Sequence, residues 1–375
     1  MRSKERILNA FAFQENDRIP CYEQQISNRV ASDILGRKAL TGGAELYYEI
    51  WTRALAGDTN SLWERSCKDN VELYRRLGLD MIPFLPPGIF SSRPQKNDGN
   101  RFYFGGKFWE EIEYAPETQA IARRDSYLDQ KGIEGLKEYV ADQKSRKIDS
   151  AEIIRTGKLF RAMAPDDMAI AGFISICIPA DEVIWLEATL LAPDLVGEYL
   201  DIRLRDTLET IGLYARDKIV DVVHFGGDLC GNTGPMYSPA IFRAMVVPRL
   251  KQATALAHQL GLKTVYNTDG YTWPIADDLF NATGIQAYME IDHAAGMDLE
   301  ELRCKFPRLT LIGNVPVDAL VRGEEKDIVR LTRECLKKGQ NRGHILSSSN
   351  TIYPGVKTGN FLAMLDTLRT FEYER

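Results

Sequence analysis

No CxxC pair, no GxGxxG turn and no Walker loop occurs anywhere in this 375-residue chain. Six scattered cysteines, Cys21, Cys67, Cys177, Cys230, Cys304 and Cys335, make no disulfide framework and fit a reduced, cytoplasmic protein. Without a glycine-rich phosphate loop, roles built on NAD or ATP are disfavoured. The chain has no Ser-His-Asp order and no nucleophile elbow, so hydrolase chemistry has little support. No apolar run reaches transmembrane length, and the opening MRSKERILNAF reads as an amphipathic helix, not a signal peptide. Basic residues are outnumbered, 47 against 53 acidic, and a net charge of −6 argues against nucleic acid or an anionic membrane as partner. Internal repeats and low-complexity segments are absent as well.

What is present is alternation. Short apolar runs recur at Ile19–Gln24, Leu79–Leu85, Met168–Ile174, Val220–Phe225, Lys263–Tyr266, Gln286–Ile291, Leu309–Val315 and His344–Ser348. Helical periodicity separates most of them, as in Asn70–Leu77, Asp181–Leu191, Pro193–Tyr214 and Glu324–Lys338. Eight strands alternating with helices predict a single α/β domain over 1–375, a (β/α)8 barrel of TIM type. Arg101–Glu117, RFYFGGKFWEEIEYAPE, is aromatic, alternating and turned at Gly105-Gly106, which predicts an inserted β-hairpin. Ser91–Gly99 before it reads as a polar loop.

The most informative stretch is Val220–Gly270. An apolar strand breaks into Gly226-Gly227-Asp228, and Ser238-Pro239 then starts a helix with Ser as N-cap and Pro at its first position. That helix runs through Phe242, Met245, Val246, Leu250 and Ala253 to Gly261. A second short strand follows and ends in Asn267-Thr268-Asp269-Gly270. Both strands deliver a carboxylate at their C-terminal ends, where parallel α/β enzymes build active sites. FGGDLCGNTGPMYSPAIFRAMVVPRLK with YNTDG resembles the uroporphyrinogen decarboxylase superfamily, which includes methyltransferases of corrinoid-dependent methyl transfer. The likeness continues in SKERILNAFAFQENDRIP, in IAGFISICIPADEVIWLEATLLAPDLVGEYLD and in HILSSSNTIYPGVKTGNFLAMLDTLRTF.

Candidate site residues cluster after the strands. Glu23 follows the first and reads either as a metal ligand or acid-base group, or as a charged loop cap. His224 alternates with apolar neighbours and reads as structural. Asp228, beyond two glycines, is placed to meet a ligand, or else caps its loop. Cys230 reads as a buried thiol in the backbone-exposing loop Cys230–Pro235. Asp269 reads as a proton donor, a ligand or a turn residue before Gly270. Glu290 and Asp292 fall on one face by alternation, and two such carboxylates near Asp269 need a cation, a shared proton or an Arg. Ser347-Ser348-Ser349-Asn350 offers hydrogen-bond donors, or satisfies its own loop. Tyr22, Phe84, Phe102, Tyr103, Phe108, Trp109, Tyr271 and Trp273 are candidates for an apolar pocket and its rim.

The resemblance sharpens these readings through its departures. Decarboxylases of the family carry an arginine-rich stretch that clamps tetrapyrrole carboxylates, where this chain has Glu23-Gln24-Gln25-Ile26-Ser27-Asn28-Arg29. Thiol-methylating relatives hold zinc with a His-x-Cys pair and a later Cys. Asn267, Asp269 and Asn350 take those positions here, so a tight thiolate-type zinc site is not expected. The resemblance then implies the substrate-side methyltransferase of a corrinoid system. Asp228, Asp269 and Glu290 would be its catalytic residues, with Asp269 and Glu290 the candidate metal ligands. Glu23, Asn267, Asn350, Tyr271 and Ser349 would bind a small methylated substrate, among which methoxylated aromatics stand out. The corrinoid belongs to a partner protein, and any zinc would be bound without the His-x-Cys and Cys ligands. A carboxy-lyase or a non-catalytic binding barrel are the alternatives.

Overall fold

Short apolar runs each followed by an amphipathic helix build a curled parallel sheet of seven strands, seen in a computed structural model that describes residues 1–57, 62–84, 88, 93–180 and 182–372. Numbered along the chain, the strands are β1 (Met81–Phe84), β2 (Lys96–Asp98), β3 (Arg101–Phe104), β4 (Glu110–Ala115), β5 (Ala120–Ser126), β6 (Ala169–Ile174) and β7 (Val222–Gly226). They continue as β8 (Cys230–Gly231), β9 (Gly234–Pro235), β10 (Lys263–Asn267), β11 (Ala287–Met289), β12 (Thr310–Ile312) and β13 (His344–Ile345). The parallel sheet has the order β1-β6-β7-β10-β11-β12-β13. Sequential neighbours pair in parallel because a helix returns the chain between them, as Val247–Gln259 does before β10.

Alternate residues fill the inside of the curl. Met81, Ala169, Ala171, Val222, Val265, Ala287, Met289, Ile312 and Ile345 form one buried cluster with Tyr22 and with Ile7, Ala10 and Phe11 of the first helix, Ser3–Phe11. A larger cluster lies between the sheet and the surrounding helices. Asp80, fully buried at the start of β1, receives Arg6 at 3.1 Å, Arg18 at 2.7 Å and the backbone N–H of Cys21 at 2.9 Å.

The segment expected as the first strand, Ile19–Gln24, is not a strand but touches both edges of the sheet. Tyr22 N donates to Leu346 O at 3.0 Å and Leu346 N to Pro20 O at 2.8 Å, while Asp80 N donates to Cys21 O at 2.9 Å. Pro20 has no N–H and interrupts any ladder, which leaves an isolated bridge at Cys21. Other strands are shorter than their apolar runs. The run Gln286–Ile291 stops at Met289, because Glu290 turns the backbone to φ +64°. Leu85, the last residue of the second run, Ser91 and Ser92 of the polar loop, and Asp181 at the head of an expected helix lie outside the described residues.

Arg101–Glu117 is larger than a hairpin. β3 and β4 pair antiparallel around Gly105-Gly106, but they are the middle of a four-stranded sheet, β2-β3-β4-β5. The outer strands KND, within the segment expected as a polar loop, and AIARRDS carry little apolar signal. Phe102 does not line a pocket rim. It is buried on the helix Ala44–Leu55, its ring 5.2 Å from Trp51 and 5.7 Å from Tyr48. Among the described residues no helix is long and apolar enough to cross a membrane.

Candidate functional site

The ends of β7, β10 and β11 are level. Asn267 is the register partner of Gly226 on one side and Met289 on the other. The residues just beyond them, Asp228, Asp269 and Glu290, therefore converge electrostatically: Asp269 and Asp228 both act on Glu290, and Asp228 acts on Asp269.

Glu290 is the most constrained of the three. It is almost fully buried, and its left-handed backbone costs a non-glycine residue about 1–2 kcal/mol. Two carboxamides hold its side chain: Asn267 Nδ2 donates to Oε2 at 2.8 Å, and Gln24 Nε2 donates to Oε1. Burial pushes its carboxyl up to about 8, with Asp269 and Asp228 adding to the rise and the amide donors opposing it. At neutral pH Glu290 is mainly a carboxylic acid.

Glu23 is also fully buried, and it is served by the far end of the chain. Ser348 N and Ser348 Oγ each donate to it at 2.8 Å and Ser347 Oγ at 3.1 Å. Burial outweighs these three donors and raises its carboxyl to about 7. The hydroxyl run thus serves a protein carboxylate. Ser349 points elsewhere: its Oγ accepts from Val317 N at 3.1 Å, at the start of the short helix Val317–Arg322.

Asp269 is half-buried and accepts from Asn350 Nδ2 at 3.0 Å. Burial, then the nearby charges of Asp228 and Asp292, raise its carboxyl above the usual range. Asp228 is exposed. Asp292 is not on a strand face with Glu290, because the strand has ended; its Oδ1 caps Ala294 N at 2.9 Å and Ala295 N at 3.2 Å. Tyr271 is 37% exposed, with its N–H on Gly231 O at 2.9 Å beside the β8–β9 loop, so it sits at the rim. Gln24 was missed in the sequence, where its only signal is its place beside Glu23. Tyr22 and His224 face the same interior, with ring centroids 6.1 Å apart.

Among the described residues no group of three or more His, Cys, Asp or Glu side chains is arranged to hold a metal ion. The chemistry of the donors agrees. Both Glu290 oxygens accept from amides, Asn267 and Asn350 turn NH2 groups towards carboxylates, and Asn350 Oδ1 already accepts from Thr351 N at 2.7 Å. An amide N–H is not a metal ligand, so these side chains as arranged do not fit zinc. Their charge is met instead by hydrogen bonds and by retained protons.

The Uroporphyrinogen decarboxylase (URO-D) family model matches residues 187–371. This segment belongs to the URO-D family. It carries Asp228, Asp269, Glu290 and Asn350, while Glu23 and Gln24 reach the site from outside the URO-D segment. Over 98% of this chain and 98% of the other, the fold is similar to that of a methyltransferase from Methanosarcina mazei, with a TM-score of 0.69 and 16% identity. At that identity the match establishes a shared fold. A structure described as a vitamin-B12-independent methionine synthase from Listeria monocytogenes is more distant, with a TM-score of 0.49 and 12% identity over 94% of this chain and 98% of its own. A search by sequence for curated relatives returns no match.

Proposed function

We propose that the chain is a methyltransferase that passes a methyl group from a small methylated substrate, such as a methoxylated aromatic, to a corrinoid carried by a separate protein. In this reading segment 19–24 is the eighth stave of a (β/α)8 barrel, with the carboxylates at its C-terminal mouth. The observation that carries the proposal is Glu290, a buried acid that keeps its proton near neutrality beside two further carboxylates. Cleaving a methyl ether leaves the C–O electron pair on oxygen, and that charge must be met as it develops. Glu290 delivers its proton to the departing oxygen and is reprotonated from water. The methyl carbon forms its new bond to the reduced cobalt of the corrinoid co-substrate, which supplies the electron pair. Asp269, aligned by Asn350, orients the substrate oxygen, and Asn267 holds Glu290 in place.

Charge argues against the carboxy-lyase alternative. Among the described residues the hydrogen-bond partners of Glu23, Asp269 and Glu290 are Ser, Asn and Gln side chains and a Ser backbone N–H, with no Arg or Lys. A carboxylate substrate would enter this group uncompensated.

Asp269→Asn is expected to fold normally, because the residue lies in a loop, and to lose about 10²-fold in methyl transfer. The assay follows conversion of the reduced corrinoid to its methylated form by absorbance, with panels of methoxylated aromatics and methylamines. Full activity in the variant clears Asp269 of this role. A wild type inactive with every methyl donor but able to decarboxylate an acid overturns the methyltransferase reading.

A further inference from the structure

Glu290 is gripped by a carboxamide, and a carboxamide has two ends. If Asn267 turned over, it would present Oδ1 instead of NH2, which suits a protonated acid and repels a carboxylate. Something must set which end faces Glu290.

Behind Asn267 lies His224, fully buried, on the neighbouring strand β7. Its Nδ1 is 3.4 Å from the Tyr22 hydroxyl. Its Nε2 has no partner, and neither does Asn267 Oδ1, although both atoms are buried. As they stand the two orphaned atoms are not hydrogen-bonded to each other, but the Asn267 carboxamide is near enough to oppose the burial that takes His224 down to about 3. Gly226 makes the approach feasible: a Cβ there would collide with Asn267 Oδ1 and with the Phe173 ring, which lies 4.5 Å from the imidazole. A neutral imidazole has one donor and one acceptor. The buried Tyr22 hydroxyl, held well above its usual range, keeps its proton and is placed to donate to Nδ1. In that arrangement the His224 proton is on Nε2, the ring nitrogen that, like Asn267 Oδ1, lacks a partner.

We infer that His224 is a positioning residue: through its Nε2–H it locks the Asn267 carboxamide with the NH2 towards Glu290, and Tyr22 fixes the tautomer that makes this possible. The inference deepens the methyl-transfer reading by naming what tunes its acid. With the lock in place the ionised form of Glu290 is favoured. Without it the amide turns over and Glu290 holds its proton more tightly. Among the described residues, the other groups found to act on or feel Glu290 include Asp228, Asp269, Tyr22, Tyr288 and Gln24, and none of these is a cation.

The test reads Glu290 directly. The infrared carbonyl band of its protonated carboxyl, assigned by its loss in Glu290→Gln, is followed from about pH 5 to about pH 10 in the wild type, His224→Phe and His224→Gln. The midpoint is expected to rise by about one unit in His224→Phe, the scale of one charge-sensitive hydrogen bond, and to return towards wild type in His224→Gln, whose amide donates to Oδ1. If His224→Phe does not fold, Tyr22→Phe frees the tautomer and is expected to shift the midpoint upwards by less. A lower melting temperature with an unmoved midpoint, or equal shifts in the Phe and Gln variants, overturns the inference. A shifted midpoint in a protein that transfers no methyl group supports the lock and overturns the function proposed above, so the two failures are distinct.

Discussion

Glu290→Gln is expected to lose methyl transfer by about 10²–10⁴-fold, the range for removing a general acid, and to make the protein harder to unfold above pH 5. The two effects share a cause. In the unfolded chain Glu290 ionises near 4.5, whereas in the folded protein burial and the neighbouring Asp269 and Asp228 hold it to about 8. The folded state therefore binds this proton more tightly. Its contribution to stability is fully present below pH 4.5 and is lost as pH rises through 8. Each unit of difference corresponds to about 1.4 kcal/mol, so on the order of 5 kcal/mol goes over that interval. A glutamine does not titrate, and it keeps an acceptor for Asn267. Gln24, whose buried Oε1 has no partner, can turn over to accept from the new amide. Thermal unfolding of both proteins at several pH values between about 5 and about 8 is the measurement. A wild type that gains stability relative to Glu290→Gln as pH rises would show Glu290 ionised and unfit as the acid.

Gly270→Ala is expected to destabilise by about 3 kcal/mol or more. Gly270 has φ +77°, and a Cβ there would meet Gly231 O at 2.6 Å and both Cys230 O and Gly231 C at 2.8 Å. These are backbone atoms of the β8–β9 loop, which cannot swing aside as a side chain does. The same carbonyl, Gly231 O, receives Tyr271 N at 2.9 Å, so the substitution forces apart the two loops that carry Asp228 and Asp269. Gly296→Ala is the control: φ is +84° there, but nothing lies within 4 Å, so only the backbone term of about 1 kcal/mol applies. Equal urea midpoints for the two variants would remove the steric argument.

Much of this arrangement is legible in the residues. The apolar runs place β6, β7 and β10 within a few residues, because a buried parallel strand is continuous in apolar side chains and stops at glycine or polar residues. Gly226-Gly227-Asp228 and Asn267-Thr268-Asp269-Gly270 mark strand ends for the same reason. Three features were not legible. Pro20 breaks a run that otherwise has strand composition, and only long-range pairing shows that the segment still joins both sheet edges. Asp292 loses its expected partnership because Glu290 leaves the extended region, which no local pattern announces. Ser347 and Ser348 read as donors for a ligand or for their own loop, but their acceptor, Glu23, is more than 320 residues away in the chain. Gln24 and His224 carry no motif. Their part in the site follows from hydrogen bonds that exist only after folding.

The pairing of the two chain ends also bears on the order of folding. Residues 20–27 hydrogen-bond to Leu346 and Ile352, and Ala10 O accepts from Thr310. These segments thus find their partners about 300 residues or more further along the chain. During translation the opening helix, with Ile7 and Phe11, has no interior to enter until β12 and β13 have been made. Loop closure over more than 300 residues is slow, so the central βα units have time to form around an unplugged interior before these distant segments meet. Glu23 meets Ser347 and Ser348 at that final step. A nascent chain can therefore hold most of its secondary structure while Glu23 is still in water and ionised.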